Sequence, residues 1–267
     1  MRSFDYHRPT TLKEAVSLLR KVEKAKPIAG GQSLIPALKL RLSSVGALVD
    51  LGAIEEMRGI KLEGGTLIVG ALARHSEVAG SKDAAVSIPT LTRLADGIGD
   101  RQVRNQGTIG GALAHNDPAA DYPAAVLGLG ATVNTNKRAI AADKFFTGPF
   151  ETALKPGEII TSVSFPLPKR SAYVKFRQPA SRFAIVGVFV SESMGGVRVA
   201  ITGASNCVFR AKNMEKRLAE KFAPEAIAKV KIAPEDLNSD MHASAEYRAH
   251  LITVLAQRAV EAAVAGK

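Results

Sequence analysis

Two glycine pairs constrain this 267-residue chain more than any other feature: Ala29-Gly30-Gly31-Gln32-Ser33-Leu34 near its start, and Gln106-Gly107-Thr108-Ile109-Gly110-Gly111-Ala112 well downstream. Each follows a turn or a short apolar stretch and opens into a helix-like segment. Glycine has no Cβ, so its backbone reaches positive φ and approaches a neighbour closely. The N–H groups of such a loop can converge on an anion at the start of a helix. A plain strand-to-helix turn, with Ser33 only a cap, explains the first pair alone equally well. The second packs three glycines and the Thr108 hydroxyl into five residues, a density that turn chemistry alone accounts for less readily. Two such loops, distant in sequence, predict two jaws around one diphosphate. Neither is a Walker A loop, because no Gly-Lys-Ser/Thr follows. Gly97-Ile98-Gly99 lacks the third glycine of the dinucleotide fingerprint and follows a helical pattern, not a strand.

The patterning around the loops predicts a mixed α+β fold. Thr11-Leu12-Lys13-Glu14 fits a capping box, and apolar residues at 12, 15, 16, 19 and 22 continue it as a helix ended by Lys26-Pro27. Ile28-Ala29 leads as a brief strand into the first glycine pair. Ser33 then caps a helix carrying Leu34, Leu38 and Leu42, and 47–51 reads as a strand. A hairpin turns at Gly64-Gly65, a helix covers 88–96, and short strands flank 134–137. Asp117-Pro118 reads as a helix start, with Asp as N-cap and Pro first inside, running toward Gly128. Pro149, Pro156, Pro166 and Pro168 mark a change of character. Beyond them, 184–190 and 197–201 pair around Gly195-Gly196, and 209–222 and 242–264 look helical. Strands and helices do not alternate strictly, which argues against a doubly wound sheet.

Composition narrows the function classes. One cysteine, Cys207, excludes an internal disulfide and an iron–sulfur cluster held by this chain's own thiolates. The five histidines show no metal-ligand spacing. No apolar run is long enough to span a membrane, and the start has no secretory core, so a cytoplasmic location is expected. The net charge of +11 raises nucleic-acid binding, but bases and acids are interspersed and stacking aromatics are sparse. The exception is 159–191, where Lys169, Arg170, Lys175, Arg177 and Arg182 occur without a single Asp or Glu. That stretch fits a partner-facing surface or a wall near an anionic cofactor.

Two further constellations carry chemistry. In His115-Asn116-Asp117-Pro118-Ala119-Ala120-Asp121 the bland reading makes Asp117 a cap and Asp121 a first-turn acid. At i+4 the two share a helix face, and Asp121 could accept hydrogen bonds from a ribose. His115 reads better as a packed loop residue than as a catalyst. In Tyr173-Val174-Lys175-Phe176-Arg177, alternation puts Tyr173, Lys175 and Arg177 on one strand face. That face is either a solvated basic edge or a cation beside a redox ring or diphosphate.

With these motifs in hand, the chain resembles the flavin-binding medium subunits of molybdenum hydroxylases, the aerobic carbon monoxide dehydrogenase type above all. The matching stretches are 27–34, 104–111, 117–121 and 175–182, with 4–9 and 156–160 in support. The resemblance implies a two-lobed FAD-binding domain over 1–165, with lobes of about 1–55 and 56–165, then a smaller C-terminal domain of antiparallel strands and helices over 166–267. It implies FAD held at its diphosphate by Ala29, Gly30, Gly31, Gln32, Ser33 and Leu34 and by Thr108, Ile109, Gly110, Gly111 and Ala112. Asp117 and Asp121 would serve the cofactor from the next loop, Ile98 and Ile160 would line the flavin, and Lys175 or Arg177 would be the basic residue near it. No catalytic acid–base residue and no metal site are expected in this chain. A small subunit with two [2Fe–2S] clusters and a large subunit with a molybdenum–pterin cofactor would be its partners, in a dimer of heterotrimers. Electrons would pass from molybdenum through the clusters to FAD and out to an acceptor. A free-standing FAD-dependent oxidoreductase, or the subunit of an aldehyde- or purine-oxidising enzyme, is the alternative. A basic nucleic-acid-binding module is a distant third.

Overall fold

The computed structural model describes residues 1–266. Strands β1 (Asp5–His7), β2 (Ala25–Ile28) and β3 (Ala47–Asp50) form a small parallel sheet in the order β1-β3-β2, with α1 (Leu12–Lys21) and α2 (Leu34–Lys39) in the connections. The Thr11 hydroxyl accepts from the Glu14 N–H at 3.3 Å, as the capping box requires, while the Glu14 carboxylate reaches the N–H of Thr10. α1 ends at Lys21, before Lys26-Pro27, which lie inside β2. Lys24 turns the chain there with a φ of 52°. α2 is also shorter than expected. Arg41 takes a φ of 60°, and Leu42 stands 79% exposed. The Ser33 hydroxyl caps no N–H, because its backbone is already helical (φ −108°, ψ −46°).

The second lobe begins with β4 (Ile60–Glu63) and β5 (Thr66–Gly70), joined by Gly64-Gly65 at φ 56° and 74°. Two successive positive φ values are what a tight hairpin turn demands. Helices α3 (His75–Gly80), α4 (Lys82–Ser87), α5 (Pro89–Asp96), α6 (Arg101–Gln106), α7 (Ile109–His115) and α8 (Tyr122–Leu129) follow. The chain then returns through β6 (Thr132–Thr135), β7 (Ala139–Ala141), the hairpin β8 (Phe146–Gly148) and β9 (Glu151–Thr152), and β10 (Ile160–Pro166). The result is an antiparallel sheet ordered β4-β5-β10-β6-β7. α8 starts at Tyr122-Pro123, not at Asp117-Pro118. Asp117 instead accepts the Ala119 N–H on Oδ1 at 2.8 Å, closing an Asx turn outside the helix. Asp117 and Asp121 therefore share no helix face.

The remaining residues form the antiparallel sheet β11 (Arg170–Arg177), β12 (Ala184–Ser193), β13 (Gly196–Thr202) and β14 (Phe209–Arg210), with α9 (Lys212–Glu220), α10 (Pro224–Ile227) and α11 (Ala245–Val264). β12 is buried from Ala184 to Ser191, which explains its unbroken apolar run. Val186, Val188 and Val190 pack with Leu251, Ile252 and Leu255 of α11. On the other face, Phe189 meets α8 at Gly128, where a Cβ would stand 2.6 Å from Phe189 Cδ1. All eight residues of α8 are buried, so this helix, apolar on every side, is the common support of the second lobe and the C-terminal sheet. The mixed α+β architecture, with an antiparallel C-terminal unit, agrees with the sequence expectation. Among the described residues no helix is long and apolar enough to cross a membrane.

Candidate functional site

The two glycine loops meet in space. A Cβ on Gly30 would collide with the Gln106 carbonyl oxygen and lie 2.7 Å from Gly107 Cα, so the first loop rests directly on the backbone of the second. A Cβ on Gly110 would lie 2.6 Å from Ala71 Cβ and 2.7 Å from its carbonyl oxygen. Beside this contact runs a cavity of about 600 Å³. Ala29, Gly30, Gly31, Gln32, Ser33 and Leu34 line it from one side; Thr108, Gly110, Gly111 and Ala112 line it from the other. Ile98, Asp117, Asp121 and Ile160 complete the set of expected residues in its walls, and His115 joins them.

The loops differ in what they offer an anion. The N–H groups of Gly30, Gly31, Gln32 and Ser33 donate to no protein acceptor among the described residues. Gly31 has a φ of 70°, which turns the loop back on itself. In the second loop most donors are spent at home: Ile109 N–H goes to Ala73 O, Gly110 N–H to Ala71 O, Gly111 N–H to the Thr108 hydroxyl and Ala112 N–H to Thr108 O, all within 2.9–3.1 Å. The expected symmetry of two anion-binding jaws is therefore corrected. Gly110 serves close packing on Ala71, and Ile109 is fully buried outside the cavity. Lys26 and Arg182 are cations in the cavity wall, and Ile98, Ile160 and Phe183 give it apolar surface. Free donors, cations and apolar wall residues in a space of this size fit a cofactor with a diphosphate and a planar ring system, as FAD has.

Lys175 and Arg177 do not line the cavity. Lys175 Nζ lies 2.9 Å from Asp121 Oδ2 and donates to Gly97 O at 3.0 Å, with its side chain only 10% exposed. The Tyr173 hydroxyl donates to the other Asp121 oxygen at 2.5 Å. Burial pushes the Asp121 carboxyl above its usual range, and Lys175 and Tyr173 pull it back. Asp121 is thus engaged by its own chain, and Lys175 acts one layer behind the wall. Arg177 is exposed at the end of β11, past a bulge at Phe176. The basic stretch is only partly neutralised internally, since Arg177 and Arg182 pair with no carboxylate among the described residues. Lys169 and Arg170 pair with Glu192, the Arg170 guanidinium sits 4.0 Å from the Phe222 ring centroid, and Arg182 donates to Gly99 O.

The sequence reading missed His75, Tyr122, Glu158 and Phe183, all in the wall, and it named Arg182 only within the basic stretch. Glu158 and Arg182 lie in the matching stretches 156–160 and 175–182, whereas His75, Tyr122 and Phe183 sit in no recognisable local motif and only the fold brings them to the site. Burial, with Arg104 adding repulsion, lowers His75 to about 4, so its imidazole is neutral near pH 7. Glu158 is lowered to about 2, chiefly by Arg138, whose Nε and Nη2 donate to its two oxygens at 2.9 and 3.1 Å; Thr135 and the Lys155 N–H add bonds. In the unfolded chain Glu158 titrates near 4.5. Its stabilising contribution is therefore complete above about pH 5 and is lost as the pH falls toward 2. Glu158→Gln should flatten this acid limb and cost on the order of 2 kcal/mol at pH 7, Arg138 being half-exposed and partly screened. Urea unfolding of both proteins from pH 2.5 to 7 measures the difference; parallel pH profiles would refute it.

Residues 2–168 match the family model for the FAD binding domain in molybdopterin dehydrogenase. The chain belongs to this family of FAD-binding medium subunits of molybdenum hydroxylases. Residues 171–263 match the carbon monoxide dehydrogenase flavoprotein C-terminal domain. The carbon monoxide dehydrogenase medium chain of Afipia carboxidovorans is 36% identical, over 98% of this chain and 97% of its own length. The solved carbon monoxide dehydrogenase of Hydrogenophaga pseudoflava, in a form lacking the Mo-pyranopterin moiety of its cofactor, superposes with a TM-score of 0.93 at 34% identity, covering 99% of this chain and 98% of that one. Quinoline 2-oxidoreductase from Pseudomonas putida 86 follows at 0.90 and 31%, with the same coverage. This medium subunit is accordingly an oxidoreductase flavoprotein that takes FAD as part of a heteromeric enzyme.

Proposed function

We propose that this medium subunit holds FAD in the cleft between its two glycine loops and relays electrons within a molybdenum hydroxylase of the carbon monoxide dehydrogenase type. The observation that carries the reading is the run of four residues, 30–33, that line a cavity of about 600 Å³ and whose N–H groups have no protein acceptor among the described residues. When bound, FAD supplies the redox chemistry, taking electrons one at a time and releasing two together. The chain supplies position and field. The first loop and the Lys26 and Arg182 cations take the diphosphate, and the second loop, held by Ala71 and Ala73, fixes the wall against which the first one closes. Residues 29–34, 98, 108, 110–112 and 160 are the proposed contacts, with Asp117 and the Asp121–Lys175 pair shaping the entrance. Residues 1–165 and 166–267 are proposed as the two units of the subunit.

The proposed partners are a small subunit with two [2Fe–2S] clusters, which would deliver the electrons, and a large molybdenum–pterin subunit, which would oxidise the substrate; the proposed assembly is a dimer of heterotrimers. Support for carbon monoxide as substrate is the 36% identity to the Afipia chain. The likeness to quinoline 2-oxidoreductase supports a second reading, oxidation of an aldehyde or nitrogen heterocycle, since the substrate pocket would lie outside this chain. The test is purification through a tag on this chain from its native cells. FAD, iron, molybdenum and two further subunits are expected, with dye reduction by carbon monoxide. Reduction by an aldehyde or heterocycle instead decides for the second reading. A flavin-bearing chain without metals or partners that turns over a small substrate alone overturns both.

A further inference from the structure

α2 ends in a way that leaves two leucines in water. The Leu42 N–H donates to Ala37 O at 2.9 Å and the Arg41 N–H to Leu38 O at 3.2 Å, the bond pattern of a Schellman stop with Arg41 at its left-handed position. Glycine is the residue that suits this position, yet Arg41 holds a φ of 60° with a Cβ in place. The apolar residue that follows such a stop usually folds back onto the helix. Leu42 does not: it is 79% exposed, and Leu40 is 70% exposed. Pro36, one turn before Leu40 on the same face, is exposed as well. Lys39 and Arg41, also exposed, pair with no carboxylate among the described residues. A single exposed leucine needs no explanation, but two that flank a strained arginine, beside a proline and a second cation, form a patch.

We propose that this end of α2, with Pro36, Leu40, Arg41 and Leu42, is a docking point for the partner chain that carries the iron–sulfur clusters. The proposal rests on the reading of this chain as the flavin stage of a molybdenum hydroxylase. Two observations select the occupant. Ala37 and Ser43, on either side of the leucines in sequence, line the cofactor cleft, so a chain seated on the patch stands against the cleft wall. Electron transfer from the clusters needs that closeness, whereas a molybdenum subunit that hands its electrons to the clusters does not. The charges also agree. A cluster held by cysteine thiolates is anionic overall, this chain carries +11, and Lys39 and Arg41 are cations without a carboxylate of their own. A second copy of this chain would bring the same two cations against them. The leucines give the contact its apolar centre, and arginine is the cation favoured at interfaces.

The whole complex, purified through a tag on this chain and diluted, gives the dissociation constant between the chain and its iron–sulfur partner by mass photometry, with the iron retained on the tag as a second measure. Leu40→Ser combined with Leu42→Ser, and Arg41→Glu alone, should each weaken the attachment about tenfold or more. Arg41→Lys keeps the charge and should retain most of the strength. Arg41→Gly relieves the backbone but should still weaken attachment; a residue that served only the end of α2 would give the reverse, since glycine suits that position better. Added salt separates the contributions. It should weaken the wild-type attachment, act less on Arg41→Gly, and act on the double serine variant as on the wild type. Val86→Ser, at a residue 83% exposed on α4 and outside the cleft wall, should behave as wild type. Wild-type attachment in the double serine variant and in Arg41→Glu overturns the proposal and leaves the flavin-stage reading intact; should the double variant not fold, Arg41→Glu alone decides. An effect confined to self-association of this chain also overturns it, by seating a second copy on the patch. A wild-type chain that purifies without any iron–sulfur partner overturns both.

Discussion

Gly30→Ala should strip the protein of FAD and destabilise it by about 3 kcal/mol or more, whereas Gly31→Ala should cost only about 1 kcal/mol. The adjacent glycines are needed for different reasons. Gly30 does not have a positive φ. Its Cβ would instead meet backbone on the facing loop: the Gln106 carbonyl oxygen, with the carbonyl carbon at 2.8 Å and Gly107 Cα at 2.7 Å. Backbone cannot rotate away as a side chain can, and Gly107 is itself pinned by His75. The methyl group must push the loops apart, which opens the cleft. Gly31 is the reverse case. Its φ of 70° is strained for any L-residue, but a Cβ there meets only Ile35 Cγ1 at 3.1 Å and Ile28 Cδ1 at 3.4 Å, side chains that can shift. Thermal unfolding and FAD content of both purified variants provide the check. A drop of roughly 6–10 °C is expected for Gly30→Ala and about a third of that for Gly31→Ala. Equal effects would show that the loops do not bear on each other.

Much of this was legible because the relevant physics is local. Gly64-Gly65 between alternating strands read as a tight turn, and the apolar run at 184–190 read as a strand of a hairpin around Gly195-Gly196. The glycine pairs announced close approach, and the order of motifs along the chain announced the family. What stayed hidden depends either on partners far away in sequence or on a choice between two local arrangements. The second glycine loop looked like an anion cradle, yet its N–H groups are consumed by Ala71, Ala73 and its own Thr108. Asp117-Pro118 carried every local sign of a helix start, but the Asx turn to Ala119 won, and the helix waited for Tyr122-Pro123. Lys175 looked like a cation for a cofactor, and Leu42 like part of the helix after Ser33. A buried acid claims the first, and α2 ends before it reaches the second. His75 and Tyr122 gave no signal at all, since only the fold brings them to the wall.

The pairing of Lys175 with Asp121 leads to the other large effect. Asp121 precedes α8 in the FAD-binding part, and Lys175 lies on β11 of the C-terminal sheet, so their 2.9 Å contact joins the two parts in a nearly dry place, with side chains 4% and 10% exposed. Lys175→Met removes one charge and leaves the other buried, with only the Tyr173 hydroxyl for company. Loss of one partner of a buried pair costs about 3–5 kcal/mol. The pair itself need not be worth that much, because desolvating both groups offsets most of their attraction. Asp121→Asn combined with Lys175→Met should therefore be far more stable than Lys175→Met alone, the amide needing no counter-charge and still able to accept from Tyr173. Chemical denaturation of the two single variants and the double variant completes the cycle, and a coupling of about 2 kcal/mol or more is expected. FAD binding distinguishes this from a direct cofactor role. A cation acting on the diphosphate through space would leave the double variant weak in FAD binding even where its stability returns. A Lys175 that serves only to neutralise Asp121 restores FAD affinity together with stability, and this second outcome is the one the geometry demands.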